Sequence, residues 1–357
     1  MKKALLPLAI ASLLPTIALA DVVVYGRANV TLQAVEKFDT NYTEVASNNS
    51  RIGVKGSEVI NDDWKAIYQF EYQTRMDDGG AGQTCTAAST TTAKTTATTT
   101  AVTATNEPAT TTATTTATTT TTCKVSGNQT FTQRNIYVGL QGTGGTVMAG
   151  MFDTPVKAAQ EKVDLFNDLV GDLTFVLEGE VRAKNIVQYS TPAFANITLN
   201  AAYIASEHDV ENATDGISAS AVYNTKPFYF AVGFDRNVSL ASEQKVSAVD
   251  IDLLRAVARV TFGPVVLGAM YEVYDNGVSD DDEDGFLVSA QYNITDEWAL
   301  KAQTVQSDMT KLGAESTSVG VDYKLSKATK LFGFYTKVED DLTRDDQYVA
   351  VGLELNF

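Results

Sequence analysis

The chain has 357 residues and a formal net charge of −17, with 44 acidic side chains against 27 basic ones and a single histidine. So acidic a surface argues against nucleic acid as a partner. After residue 20 no stretch approaches the roughly 18 uninterrupted apolar residues that a spanning helix needs, which excludes a helical membrane protein.

Residues 1–20 run from Met1-Lys2-Lys3 through an apolar stretch to Ala18-Leu19-Ala20, the pattern of a secretory leader cleaved before Asp21. A chain that is exported and crosses a bilayer without apolar helices satisfies every backbone donor and acceptor only as a closed β-barrel. The expected first strand agrees. Val22, Val24, Gly26, Ala28, Val30 and Leu32 share a face suited to lipid, while Tyr25, Arg27, Asn29, Thr31 and Gln33 share a polar one. In Ser50–Gly56, Arg51 and Lys55 lie opposite Ile52, Val54 and Gly56. The third strand repeats the pattern, with Trp64, Ala66, Tyr68, Phe70 and Tyr72 outward and Lys65, Gln69, Glu71 and Gln73 inward. Arg27, Arg51, Lys55, Arg75 and Arg134 are expected to form a basic ladder on one wall of a polar lumen, the charge pattern that sets ion selectivity. The bland alternative is that each arginine only pairs with a neighbouring acid.

The second long connection holds an unusual tract. Residues 86–122 contain 22 Thr and 9 Ala in 37 positions, a composition that builds no core and is expected to be a surface insertion in the second external loop. Cys85 and Cys123 bracket it and are expected to form a disulfide, worth about 3 to 4 kcal/mol in the chain-entropy model. Long connections are expected near 37–49, 76–130, 153–184, 206–214, 238–247, 275–284, 306–314 and 339–346, with turn-rich short ones between them. Eight long and seven short connections imply sixteen strands, with the long ones external.

The third long connection carries Val163, Leu165, Phe166, Leu169, Val170, Leu173, Phe175, Val176 and Leu177, too apolar for a solvated tip. It is expected to fold into the barrel and bring some of Asp164, Asp168, Asp172, Glu178 and Glu180 opposite the basic wall as a constriction. At the far end Val349, Val351, Leu353, Leu355 and Phe357 alternate with Tyr348, Ala350, Gly352, Glu354 and Asn356, which reads as a terminal transmembrane strand ending on an aromatic.

Tyr25-Gly26-Arg27, Ser50-Arg-Ile-Gly-Val-Lys-Gly56, Arg134-Asn-Ile-Tyr-Val-Gly-Leu140, the segment 185–192 and the terminal Phe357 together resemble the trimeric general porins of Gram-negative outer membranes. The resemblance covers the chain after the leader. It implies an all-β, 16-stranded antiparallel transmembrane β-barrel, an inward-folded third external loop, a homotrimer, and Arg27, Arg51 and Arg134 on the basic side of the eyelet. The usual Pro-Glu-Phe-Gly-Gly of that loop is missing here, and the Thr-rich insertion falls where such porins latch onto a neighbouring subunit.

The expected activity is passive diffusion of small hydrophilic solutes and ions with a weak cation preference. Outer-membrane lipid and lipopolysaccharide are the expected surroundings, and no cofactor or metal is expected. A substrate-specific channel for a sugar or an anion, or a receptor barrel using the Thr-rich loop, are the alternatives. An enzyme is poorly supplied: His208 sits in an acidic stretch without a nucleophile motif, and Gly139–Gly145 joins two strands with no helix to hold a phosphate. The run Asp280–Asp284 reads as a solvated surface.

Overall fold

The computed structural model describes residues 21–37, 40–77, 83–88, 120–125, 131–206, 214–239, 250–275, 283–308, 313–340 and 344–357. The expected leader, most of the Thr-rich tract, His208 and the first residues of the Asp280–Asp284 run lie outside them.

The strands in chain order are β1 (Asp21–Lys37), β2 (Thr40–Ser47 and Arg51–Val59), β3 (Trp64–Gln73), β4 (Thr132–Gly142), β5 (Gly145–Asp153), β6 (Arg182–Ser190), β7 (Ile197–Ile204) and β8 (Gly216–Asn224). They continue as β9 (Phe228–Ser239), β10 (Asp250–Phe262), β11 (Val265–Asp275), β12 (Glu283–Asn293), β13 (Trp298–Ser307), β14 (Ala314–Lys324), β15 (Thr329–Asp340) and β16 (Asp345–Asn356). Both pieces of β2 pair with β1, so they are one crossing interrupted at Asn48–Ser50. There the Ser50 hydroxyl takes over the ladder, accepting from Asn29 N at 3.0 Å and donating to Asn29 O at 3.1 Å. Every strand pairs antiparallel with its chain neighbour, and β1 pairs with β16 from Arg27–Asn356 to Glu36–Gln347, which closes a sixteen-strand barrel.

The short turns form because a side-chain oxygen substitutes for the next strand's backbone. Asn61 Oδ1 accepts from Asp63 N and Trp64 N, Thr295 Oγ1 from Glu297 N and Trp298 N, and Ser326 Oγ from Ala328 N and Thr329 N. All seven short turns fall where the sequence puts them. The first long connection differs: Thr40–Ser47 is strand, in register with β1 from Val30–Ser47 to Lys37–Thr40. Its polar composition hid it. Cross-strand pairs such as Gln33 Nε2 donating to Glu44 at 2.7 Å hold it without an apolar face.

On β16, Val349, Val351, Leu353, Leu355 and the following Phe357 are between 40 and 62 % exposed, while Tyr348 and Ala350 are buried. That alternation turns one face to lipid. The interior is less polar than expected. Tyr229, Ala231, Val257, Met270, Leu287 and Val305, on β9 to β13, are buried against Ala159, Val163, Leu173, Val176 and Leu177 of the segment between β5 and β6. The barrel therefore has an internal core, made where that segment covers the wall.

Residues 78–130 form a second compact unit. In it Gln83–Ala88 pairs antiparallel with Thr120–Val125, and Cys85 stands directly opposite Cys123 in the register.

Candidate functional site

The segment 154–181 leaves β5 through the short helix α1 (Pro155–Ala158), N-capped by the Thr154 hydroxyl, with proline in the first turn. It then runs as a strap along the inner wall. Val163 O accepts from Ser289 Oγ on β12 at 2.6 Å, Leu165 N donates to Gln303 on β13 at 2.7 Å, and the Phe166 ring meets Phe334 on β15 edge to face at 6.2 Å. The strap turns back at Asp168, whose φ of 65° lies in the left-handed region. It returns through a 3₁₀ turn, Leu173–Phe175, capped by Asp172. Of the expected apolar anchors, Val163, Phe166, Leu169, Leu173, Val176 and Leu177 are buried and Phe175 is exposed, lying instead beside the Arg344 guanidinium.

At the turn, the Asp168 carboxylate meets β1 and β2. Arg27 Nη1 lies 2.5 Å and Arg51 Nη1 3.3 Å from the same Asp168 oxygen, and Asn49 Nδ2 donates to the other at 2.7 Å. Arg27 also reaches Glu354 on β16 at 3.1 Å. Burial disfavours the charged form of Asp168, but the charges of Arg27, Arg51 and Arg134 outweigh it and hold the carboxyl below the usual carboxylate range.

Next along the wall, Arg134 Nε pairs with Glu71 at 2.9 Å and its Nη1 donates to Gln73 at 3.0 Å. The Tyr25 hydroxyl donates to the other Glu71 oxygen at 2.9 Å, and Lys55 Nζ sits 5.1 Å from the centre of the Tyr25 ring. Arg27, Arg51, Lys55 and Arg134 thus occupy one sector of the inner wall, on β1, β2 and β4. Arg75 lies beyond the end of β3 and is exposed.

The strap's other carboxylates do different work from that expected. Asp164 and Asp172 are buried and accept N–H donors. Asp164 takes those of Phe166, Leu173 and the Gln303 amide, and Asp172 those of Thr174 and Asp168. They shape the turn instead of lining the lumen, and burial pushes both carboxyls up, against the pull of those donors. Glu180 is bound to Arg255 Nη1 at 2.7 Å, Arg255 Nε to Glu272 at 2.8 Å, and Arg255 Nη2 donates to Glu178 O at 2.6 Å. Arg255, on β10, therefore fastens the returning arm.

The sequence reading missed Arg255 and also Arg182, which pairs with Asp153 at 3.1 Å. The period-2 pattern of Asp250–Phe262 carried the signal, because Arg255 and Arg259 fall opposite Leu254, Ala256, Ala258 and Val260. Lys301, Asp322 and Lys330 were missed as well. They continue the ion pairs along β13 to β15, with Lys301 and Lys330 at 3.2 and 3.4 Å from Asp322.

A closed antiparallel barrel with an apolar outer belt, an internal strap and a charge-paired inner wall defines a transmembrane barrel of the channel type. The chain belongs to the Gram-negative porin family, whose model matches residues 7–343, and is accordingly a protein of the Gram-negative outer membrane. The major outer membrane protein P.IB of Neisseria sicca is 26 % identical to it over 216 residues, covering 57 % of this chain and 47 % of that protein. The chain spans about half the length of the curated relatives it matches. Among solved structures, the anion-selective porin from Comamonas acidovorans superimposes with a TM-score of 0.68 at 16 % identity, over 95 % of this chain and 100 % of that one. The trimer form of in-vitro folded OmpT from Vibrio cholerae gives 0.62 at 14 % identity, over 95 % and 99 %. At these identities the likeness is one of fold.

Proposed function

We propose that the protein is a passive diffusion channel, through which small hydrophilic solutes and ions cross the outer membrane down their gradients without a cofactor or covalent chemistry. One observation carries this reading: the wall that the strap reaches only through Asp168 is lined by Tyr25, Arg27, Arg51, Lys55, Glu71 and Arg134. Side chains alone do not fill a barrel of sixteen strands, so a polar sector there holds water. The strap narrows that lumen, and Asp168 with its arginines forms the charged edge of the constriction.

The protein works as a homotrimer in this proposal, a reading supported by fold likeness to a porin described in trimer form. The apolar belt, including Val351, Leu353, Leu355 and Phe357, meets membrane lipid. Cys85 and Cys123 form a disulfide that closes the Thr-rich tract at its base, a pairing supported by their direct opposition in the hairpin. The ion preference is weakly cationic. A net charge of −17 gathers cations at the mouth, while in the polar sector the bases outnumber the acids and oppose them inside.

Single-channel recording of the folded protein in a planar bilayer tests the proposal. Large ohmic steps in groups of three are expected. A closed barrel, or a pore blocked by one solute, would move the assignment to a receptor or a specific channel.

A further inference from the structure

In the upper part of β2, Val45 pairs with Leu32 and both are half exposed on the lipid side, while Glu44 pairs with Gln33 and is hydrogen-bonded to it on the lumen side. Successive side chains alternate. An unbroken strand that points Glu44 inward would therefore also point Asn48, Ser50 and Ile52 inward and send Arg51 into lipid. Arg51 instead pairs with the inward Arg27, and Ile52 is exposed on the outer face. One residue accounts for the reversal. Between the Val30–Ser47 and Arg27–Arg51 pairs, β1 supplies Ala28 and Asn29 while β2 supplies Asn48, Asn49 and Ser50. The extra residue makes a β-bulge, and the bulge turns into the lumen a guanidinium that a regular strand would place in hydrocarbon.

The bulge is held by a closed set of hydrogen bonds. Asn48 N donates to Asn29 O at 2.8 Å, the Asn48 side-chain amide donates to Asn29 Oδ1 and Thr31 Oγ1 at 3.2 Å each, and Ser50 O accepts from Thr74 N at 2.7 Å. Asn29, Thr31, Asn48 and Ser50 are all buried, so the gap in the ladder leaves these groups satisfied. Asn49 has a φ of 49°, in the left-handed region that asparagine tolerates. Its side chain leaves the wall and donates to Asp168 Oδ1 at 2.7 Å. Asp168 is itself left-handed, and its N–H is taken by Asp172. With Oδ1 held by Asn49, Arg27 and Arg51 both bind Oδ2.

We propose that Asn49 is a positioning residue of the constriction: its amide fixes the Asp168 carboxylate so that one oxygen serves both arginines, and the bulge that carries it sets which way Arg51 faces. A neutral amide orients the carboxylate without changing the balance of charge among Arg27, Arg51, Arg134 and Asp168. The effect on selectivity rests on the diffusion reading; the contact itself does not.

The test uses the full-length protein, folded in detergent for hydrogen exchange and in planar bilayers for recording. Glycine keeps the left-handed backbone, so Asn49→Gly removes the amide alone. Exchange over residues 165–172 should then speed up about tenfold, as for loss of a hydrogen bond to a charged group. The acid pH at which the reversal potential changes should also move up toward the ordinary carboxylate value, because Arg27, Arg51 and Arg134 then favour the charged form without the amide's help. Asn49→Asp sets two carboxylates face to face and should speed exchange at least as much. In an Asp168→Asn background, where amide and carboxylate have changed places, the same substitution should add nothing. An Asn49→Gly protein with unchanged exchange, or an Asn49→Asp effect equal in both backgrounds, overturns the contact. Faster exchange with an unmoved acid transition overturns the positioning role. An unaltered protein that carries no current would refute the diffusion reading instead, and the exchange comparison would still decide the contact.

Discussion

Asp168 is the strap carboxylate that faces Arg27 and Arg51, and its environment fixes how it responds to pH. Its folded value is depressed, so its pairing with Arg27 and Arg51 stabilises the turn above the unfolded value near 3.9 and is lost as pH falls through the lower folded value. Asp168→Asn removes the charge at every pH. At neutral pH the variant should shift the reversal potential toward anions relative to the unaltered protein. That difference should shrink only as pH falls through the depressed folded value, below which both side chains are neutral. A difference that persisted there would mean that Asp168 acts through shape instead of charge. Its neighbours Asp164 and Asp172 bond only to donors of the strap and of Gln303, so substitutions at those positions should disturb the turn before they alter selectivity.

Burial, more than charge, decides how the strap is held. A partly exposed ion pair contributes about 0–1 kcal/mol, whereas each fully buried Val, Leu or Phe contributes about 1.5–3 kcal/mol. Val163, Phe166 and Leu173 are all completely buried. Phe166→Ala removes a ring packed on Phe334 and beneath Lys301 Nζ, which lies 4.5 Å from its centre. The cost should be about 3–5 kcal/mol, confined to the strap. Hydrogen exchange over residues 160–178 should speed up while the closed barrel keeps its resistance to heat. Loss of the barrel itself would mean that the strap's core holds the sheet together. Closure of the sheet rests on another contact, between Gly26 and Phe357, which exchange backbone hydrogen bonds of 2.9 and 3.0 Å. A Cβ on Gly26 would overlap the Phe357 ring.

For the whole molecule the opposed charges of mouth and wall make selectivity depend on ionic strength. Loop acids act across open water and fade once the Debye length falls from about 30 Å at 0.01 M salt to about 3 Å at 1 M, while the arginines line the constriction at contact distance. Reversal potentials measured at rising mean salt should therefore move from cation preference toward anions. A cation preference that held unchanged at 1 M would place its source at the constriction and not at the mouth.

Strand count, short turns and the lipid-facing side of each strand were legible because they depend on a local period of two and on turn chemistry within four residues. Arg27, Arg51, Lys55 and Arg134 could be placed on one wall for the same reason, as inward positions of neighbouring strands. Thr40–Ser47 could not be read, since its stability comes from partners on β1. Nor could the carboxylates be sorted. Asp164, Asp168 and Asp172 recur every four residues in one acidic segment, and only the path of the strap across the inner wall turns the middle one toward Arg27 and Arg51 while burying the other two. Sequence by itself determined the barrel, because a bilayer leaves the backbone no other closed solution. Tertiary structure alone decided the constriction and the Asn49 contact, because both depend on which distant side chains a non-repeating segment or a backbone bulge happens to meet.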